Sequence, residues 1–375
     1  MVRLKLAISR LFHNLFRGRR QTLCLTILAV IAFVPILWFG LEVVPYMLVL
    51  PYSQFTYPLE IDFQQLLSHY DRFQAYPRET ATINNVSFAV LHPGKNLCQL
   101  HRSFLAQQAA PRLLILVKSG LGNRQFRDAV RSTWVNQRNY QRLGVQVFHA
   151  FVLGGSVSQT QQVRVNAEQA MHGDIIQQDF IDSYFNNTYK TMFAFDFAAN
   201  SCQSADFVLF ADDDYYVSPT NLAHLLRSLL HRRSDPRLAV GFVFAKPVPK
   251  RSPMNRWYTT LSEYPYAFWP PYPTGGAVLT TRALCRRVSL AQRFVRYIRF
   301  DDVFLGIVLK KIGIEPEHHG LFYHELLTPV SQQVYGNVIA MHLDRRLNLL
   351  HDIWRAMNYS VFDVPVISLA TRSLL

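Results

Sequence analysis

Short apolar runs alternate along this chain with segments of helical periodicity. Arg112 to Val117 (RLLILV) is an apolar run that follows Pro111, and it predicts a buried strand. Ser119-Gly120-Leu121-Gly122-Asn123 predicts a loop, and the segment after it a helix with Phe126, Val130 and Trp134 on one face. Val145 to Leu153 predicts a second strand, closed by Gly154-Gly155. Thr160 to Met171 predicts a helix, Asp174 to Ile176 a short strand, and Thr188 to Ala199 another helix. Asp206 to Ala211 (DFVLFA) predicts a third apolar strand. Strands alternating with helices predict an α/β fold, a mostly parallel sheet flanked by helices. Ligands of such sheets bind beyond the carboxyl ends of the strands, and Asp212-Asp213-Asp214 lies at one such end. After about residue 240 the pattern loosens into a Pro/Tyr/Trp-rich stretch, Lys246 to Gly276, followed by an amphipathic segment, Asp302 to Ile312.

One run differs from the rest. Thr22 to Leu41 carries no charge and is long enough to cross a hydrocarbon core as a helix, and Pro35 within it is tolerable in a membrane. Arg3, Lys5, Arg10, Arg17, Arg19 and Arg20 precede it, and the first acid, Glu42, follows it. The positive-inside rule then places the N-terminus in the cytosol and the bulk of the chain in the lumen. A cleaved signal peptide would have a shorter apolar region and a small-residue cleavage site. The expected organisation is a cytosolic tail (1–21), a signal-anchor helix (22–45), a stem (46–110), a catalytic domain (111–361) and a C-terminal tail (362–375). The sequons at Asn85, Asn186 and Asn358 agree with lumenal exposure. With Cys24 in the span, Cys98, Cys202 and Cys285 permit one disulfide, and any two of them could form it.

The formal charge of +14 would suit a membrane surface, an anionic substrate or nucleic acid. No Lys/Arg stripe interleaved with aromatic residues is present, which argues against nucleic acid. Half the residues are hydrophobic, enough for a substantial core.

Chemistry concentrates in a few places. Three adjacent carboxylates at a strand end repel one another and call for a compensating cation. Hard oxygens suit Mn²⁺ or Mg²⁺, ions that also bind substrate phosphates. A solvated acidic turn is the plain alternative. Arg127 and Arg131, four apart on a helix, are suited to phosphate, as is Lys118 at the preceding strand end; a solvated helix face is the alternative there. Asp301-Asp302 open an apolar helix, where capping would favour acids and a transferase would need a general base. Trp257, Glu263-Tyr264 and Tyr272 to Gly276 form an aromatic, glycine-bearing loop on which sugar faces could stack. His342 is a candidate metal ligand.

Taken in order, Arg127 to Trp134, Phe151 to Gly154, Asp179 to Thr191, the Asp triplet, Tyr272 to Gly276 and Asp301-Asp302-Val303 resemble the β-1,3-glycosyltransferase family over about residues 111–361. The resemblance implies a GT-A nucleotide-sugar-binding domain, inversion at the anomeric carbon, and a Golgi enzyme of single-pass type II topology with a lumenal catalytic domain. It implies Mn²⁺ or Mg²⁺ as cofactor and a UDP-sugar donor bound by Lys118, Arg127, Arg131, Asp212, Asp213 and Asp214. Asp214 and His342 are implied as metal ligands, with His324 as the alternative to His342. Asp302 is implied as the catalytic base. Acceptor contacts are assigned to Trp257, Glu263, Tyr264, Tyr272, Gly275, Gly276 and Asp301. Several relatives carry Glu at the position of Asp301, and Pro273-Thr274 departs from the family's Tyr-x-Ser-Gly. The implied reaction moves N-acetylglucosamine from UDP-GlcNAc to the 3-hydroxyl of a β-mannose on a glycosphingolipid core. UDP-galactose is the alternative donor, and an inactive glycan-binding member the alternative class. A two-metal phosphoesterase would need more His and Asp ligands than surround the triplet. Oligomeric state is open.

Overall fold

The computed structural model describes residues 26–27, 29–56, 61–73, 81–84, 88–99 and 110–357. The cytosolic tail, the start of the expected span with Cys24, Asn85, Asn358 and the tail 362–375 lie outside the described residues. The chain divides into two compact units, Met1–Phe55 with Val248–Phe268, and Thr56–Pro247 with Trp269–Leu375.

The larger unit is built on an eight-stranded sheet. Its strands are β1 (Val90–His92), β2 (Arg112–Lys118), β3 (Gln146–Gly155), β4 (Ile175–Ile181), β5 (Phe207–Asp212), β7 (Ala239–Phe244), β8 (Tyr272–Thr281) and β9 (Glu317–His318), in the spatial order β1-β4-β3-β2-β5-β8-β7-β9. A second sheet has the order β10-β11-β6, from β6 (Tyr215–Val217), β10 (Phe322–Tyr323) and β11 (Ala340–His342). The central four strands, β4-β3-β2-β5, run parallel, whereas β8 is antiparallel to both of its neighbours. Burial on both faces explains the unbroken apolar runs: Leu113 to Val117 and Phe207 to Leu209 are fully buried. The chain runs from β2 outward to β3 and β4, then returns to the other side of β2 as β5. That reversal opens a crevice beyond the ends of β2 and β5.

Helices cover the sheet where the periodicity predicts them, at Arg124–Ser132, Gln159–His172 and Asn187–Asn200. Their ends are chemically marked. The Ser158 hydroxyl caps one N-terminus by accepting the Gln161 N–H, and Gly173 ends the same helix in the left-handed conformation at φ 68°. The helix Asp301–Lys311 is not amphipathic as expected. Val303 to Leu309 are all buried, because a helix apolar all round must be covered on every side.

Two expectations change. The segment expected to be a loop from Lys246 to Gly276 gives its last residues to β8, and the segment expected to be a stem is partly built into the larger unit. Phe63–Phe73 is a helix with Phe63, Leu66 and Leu67 buried, and β1 joins the sheet edge beside β4. Cys98 is disulfide-bonded to Cys202, 104 residues away, which leaves Cys285 buried as a thiol.

The smaller unit contains the apolar helix Ala29–Met47, with mean hydropathy 1.9 and none of its apolar window buried. Among the described residues it is the one helix long and apolar enough to cross a membrane. It widens to π-helical bonding at Phe39–Val43, ahead of Pro45, which has no N–H to give the helix. Residues 248–268 are stitched to its end. The Leu50 N–H donates to Pro265 O at 2.8 Å, the Ala267 N–H donates to Leu50 O at 2.9 Å, and the Arg251 N–H donates to the Tyr46 hydroxyl at 3.0 Å.

Candidate active site

The crevice brings together residues far apart in sequence. Lys118 ends β2 in register with Asp212, which ends β5. The buried Lys118 Nζ lies 3.1 Å from Asp212 Oδ1 and also pairs with the Asp301 carboxylate. Burial alone would push the ammonium toward neutrality, but the Asp212 and Asp301 charges outweigh it and hold its pKa well above the usual lysine value. One buried cation therefore joins the acidic triplet to the N-terminus of the helix Asp301–Lys311. The Thr191 hydroxyl donates to the same Asp301 oxygen at 3.0 Å. Burial raises the Asp301 pKa, yet the Lys118 charge overrides it and the net effect is downward.

The three aspartates divide their work. Asp212 remains about one-third exposed, and burial together with Asp214 and Asp301 pushes its carboxyl up to about 7 against the pull of Lys118. Asp213 turns inward. Its Oδ2 accepts from Ser119 Oγ at 2.5 Å and Asn123 Nδ2 at 2.9 Å, and burial raises its pKa. Asp213 was expected to hold the donor. Through Oδ2 it anchors the Ser119–Asn123 loop. Asp214 Oδ2 lies 3.3 Å from His342 Nε2.

That last pair depends on the small sheet. β6 pairs with β11 so that Tyr215 opposes His342, which brings the imidazole beside Asp214 across 128 residues. Asp344 Oδ1 holds the other ring nitrogen at 3.1 Å. Its carboxylate reaches back because Asp344 and Arg345 both take positive φ, 48° and 59°. Asp214 raises the His342 pKa against burial. An imidazole and a carboxylate converging, with the imidazole fixed from behind by a second carboxylate, fit a hard divalent ion. Among the described residues no three His, Cys, Asp or Glu side chains form a metal site by themselves. His324 is placed elsewhere, its ring 4.1 Å from that of Phe242.

Arg127 and Arg131 do not face the crevice. Arg127 is fully buried, and all five of its guanidinium N–H groups are engaged: by Glu168, by Ser119 Oγ, and by the carbonyls of Gly120 and Leu121. Arg131 pairs with Asp128, Glu168 and Asp174 and lies over the Phe151 ring. Neither has a face to offer a diphosphate. The sequence spacing indicated their charge, but not the buried acids that absorb it. Arg127 instead fixes the Ser119–Asn123 loop, as does Lys190, which donates to Ser119 O at 2.7 Å. Arg345 was not foreseen. Its guanidinium donates to Asn123 Oδ1 at 3.2 Å at the rim of this loop, and no local sequence pattern marks it.

Asp302 is half-buried, accepts the Val303 N–H at 2.7 Å, and takes no part in the Lys118 ion pair. Burial and the Asp301 charge push its carboxyl up to about 7. Asp301 was expected among acceptor contacts. Its carboxylate is engaged by Lys118 and Thr191.

The remaining expected acceptor residues separate. In the larger unit, half-buried Tyr272 lies near Asp302, which with burial raises its phenol pKa above the usual range. Gly275 and Gly276 are needed for packing. A Cβ on Gly276 would lie 2.1 Å from the Tyr215 ring, and one on Gly275 would lie 3.0 Å from Asp301 Oδ2. Gly276→Ala is expected to destabilise the protein by at least about 1–3 kcal/mol through overpacking; thermal unfolding that matches the parent would show that Tyr215 can move aside. In the smaller unit Trp257 is half-exposed. The Glu263 carboxylate accepts from the Thr260 N–H and hydroxyl, and the buried Tyr264 donates to Phe268 O at 2.6 Å. Those bonds give Glu263 and Tyr264 roles in holding their own loop. The Asn186 amide donates to Ile181 O at 2.8 Å, and the sequon's Thr188 is buried.

The galactosyltransferase family model matches residues 125–320 of this chain. The chain belongs to that family. β-1,3-Galactosyltransferase brn of Drosophila melanogaster is 36% identical over 252 residues, covering 66% of this chain and 76% of its own. β-1,3-Galactosyltransferase 5 of Homo sapiens is 31% identical over 256 residues, 68% of this chain and 81% of its own. Lactosylceramide 1,3-N-acetyl-β-D-glucosaminyltransferase A of Xenopus laevis is 31% identical over 249 residues, 65% of each chain. A solved galactosyltransferase, LgtC, in complex with donor and acceptor sugar analogs covers 68% of this chain and 97% of its own at 12% identity and a TM-score of 0.35, a likeness too slight to bear on the fold. As a family member the enzyme is a UDP-sugar-dependent glycosyltransferase, and its helix-flanked sheet fits the GT-A domain that the sequence resemblance implies.

Proposed function

We propose that the enzyme transfers N-acetylglucosamine from UDP-GlcNAc, with inversion, to a sugar 3-hydroxyl on a membrane-presented glycan, with the β-mannose of a glycosphingolipid core as acceptor. The observation that carries the transferase part of this reading is the division of carboxylates within one crevice, while the donor and acceptor rest on the sequence resemblance. Asp214 meets His342, Asp212 and Asp301 share Lys118, and Asp302 stays outside that ion pair with its pKa near neutrality.

Asp302 would accept the acceptor hydroxyl's proton as that oxygen attacks the anomeric carbon. Lys118 and Thr191 hold Asp301, and through the shared helix turn they hold Asp302 in place. Asp212 and the Ser119–Asn123 loop would receive the nucleotide, with the loop kept in shape by Asp213, Arg127 and Lys190. Asp214 and His342 would hold Mn²⁺ or Mg²⁺, which when bound supplies positive charge to the diphosphate. Most of the rate enhancement would come from positioning and charge stabilisation.

Galactose is the second donor reading, favoured by the names of the Drosophila and human relatives. A panel of UDP-sugars against a β-mannoside acceptor separates the two. The helix Ala29–Met47 supports a single-pass type II anchor, and we place the catalytic part in the Golgi lumen. Asp214→Ala and His342→Ala are expected to abolish Mn²⁺-dependent transfer while thermal unfolding stays near that of the parent, and chelation should silence the parent. Parental rates in either variant at the same Mn²⁺ concentration would remove that residue from the metal site.

A further inference from the structure

We propose that residues 248–257 dock on the lumenal leaflet of the membrane, with Met254 at the lipid headgroups and Lys250 and Arg256 set among anionic lipids. The inference rests on the reading of the uncharged run that ends at Leu41 as the membrane-spanning part of this helix, and its argument lies wholly within the smaller unit.

Depth is fixed by hydrogen bonds. Glu42 is the first charged residue after the apolar run, so its carboxylate belongs at the membrane–water boundary. The Ser252 hydroxyl donates to that carboxylate. One helical turn further on, the Tyr46 hydroxyl accepts the Arg251 N–H. Ser252 is therefore held at the depth of the boundary, and Met254, two residues away, can lie no more than about 7 Å from it. The headgroup layer is itself about 5–8 Å thick. These bonds therefore keep Ser252 and Met254 within reach of the headgroup layer.

The segment is built as a rigid protrusion. The Asn255 N–H donates to Ser252 O and the Tyr258 N–H to Asn255 O, each at 3.0 Å, and the Thr259 N–H closes the base on Lys250 O at 2.8 Å. Inside the base, the buried Arg251 guanidinium donates to the carbonyls of Thr259, Thr260, Tyr264 and Tyr266 at 2.7–3.0 Å. A loop of this size spends a buried arginine to keep its shape, yet exposes Met254 by 91% and Trp257 and Val248 by about half. Met254, Trp257 and Val248 together put an apolar edge on this loop. A headgroup surface suits such an edge, with its indole and flanking cations. Lys250 and Arg256 are both exposed, and no acid occurs between Val248 and Ser262.

The test uses the full-length enzyme in proteoliposomes that contain phosphatidylserine. Met254→Cys is labelled with an environment-sensitive fluorophore, with the unsubstituted protein labelled in parallel as the blank. The expected result is a blue-shifted emission that loses most of its intensity to nitroxide lipids and little to iodide. Adding Lys250→Glu and Arg256→Glu should return the probe to iodide. A probe quenched by iodide alone, in protein that resists alkaline carbonate extraction, overturns the docking while leaving the span intact. Release of the chain by carbonate overturns the span and the docking with it. Lipid quenching unaffected by the charge reversals overturns the assignment of anionic lipids.

Discussion

Asp302→Asn is expected to lower kcat by about 10²–10⁴-fold, the usual contribution of a positioned general base, while UDP binding measured by calorimetry is retained. The substitution keeps shape and removes basicity. Asp302 carries little of the structural charge, since Lys118 is committed to Asp212 and Asp301. The parent supplies a second readout. A carboxyl pushed up to about 7 is ionised, and so able to take a proton, only above that value. Parent kcat/KM should therefore fall about tenfold for each pH unit below 7, and the limb should vanish in the residual activity of Asp302→Asn. Loss of UDP binding in the variant would instead make Asp302 structural, and a pH-independent parent would remove it as the base.

Lys118→Met is expected to be the most destabilising single change in the crevice, at about 3 kcal/mol or more. Removing one member of a buried ion pair leaves an uncompensated charge that costs about 3–5 kcal/mol. Here two carboxylates lose the same partner, although Asp212 recovers some solvation because it is about one-third exposed. Thermal and urea unfolding measure the loss. Combining Lys118→Met with Asp301→Asn should cost less than the sum of the two single changes, because the second removes the charge stranded by the first. Additive losses, or a melting temperature within a degree or so of the parent, would mean that solvent reaches the pair freely.

Legibility in the sequence followed the range of the forces involved. The parallel core was readable because burial on both faces leaves a continuous apolar run, as in Leu113 to Val117. Placement of Asp212 followed from the same run, since a charge directly after a buried strand must sit at its end. The strands β7 and β8 were not readable. Their pairing connects segments on either side of a Pro- and Tyr-rich excursion, and Pro273 in β8 obscures the alternation. Arg127 shows the same limit in the site. Its spacing from Arg131 is visible on a helix, but Glu168, the acid that neutralises it, lies 41 residues away on another helix. His342 could be singled out among 13 histidines only by resemblance. What brings it to Asp214 is one three-residue strand pairing, β6 with β11, and no local pattern encodes that register.

The bond between Cys98 and Cys202 links the sheet's folding to the place where the chain is made. A loop of 104 residues closed by a disulfide contributes about 4–5 kcal/mol in the chain-entropy account. That is a large part of the 5–15 kcal/mol that holds an ordinary domain together. Thiols stay reduced in the cytosol and oxidise in the secretory lumen. If, as proposed, the catalytic part folds in that lumen, a copy left in the cytosol would fold without the crosslink, and the cell's proteases would meet it as the weaker of two otherwise identical molecules.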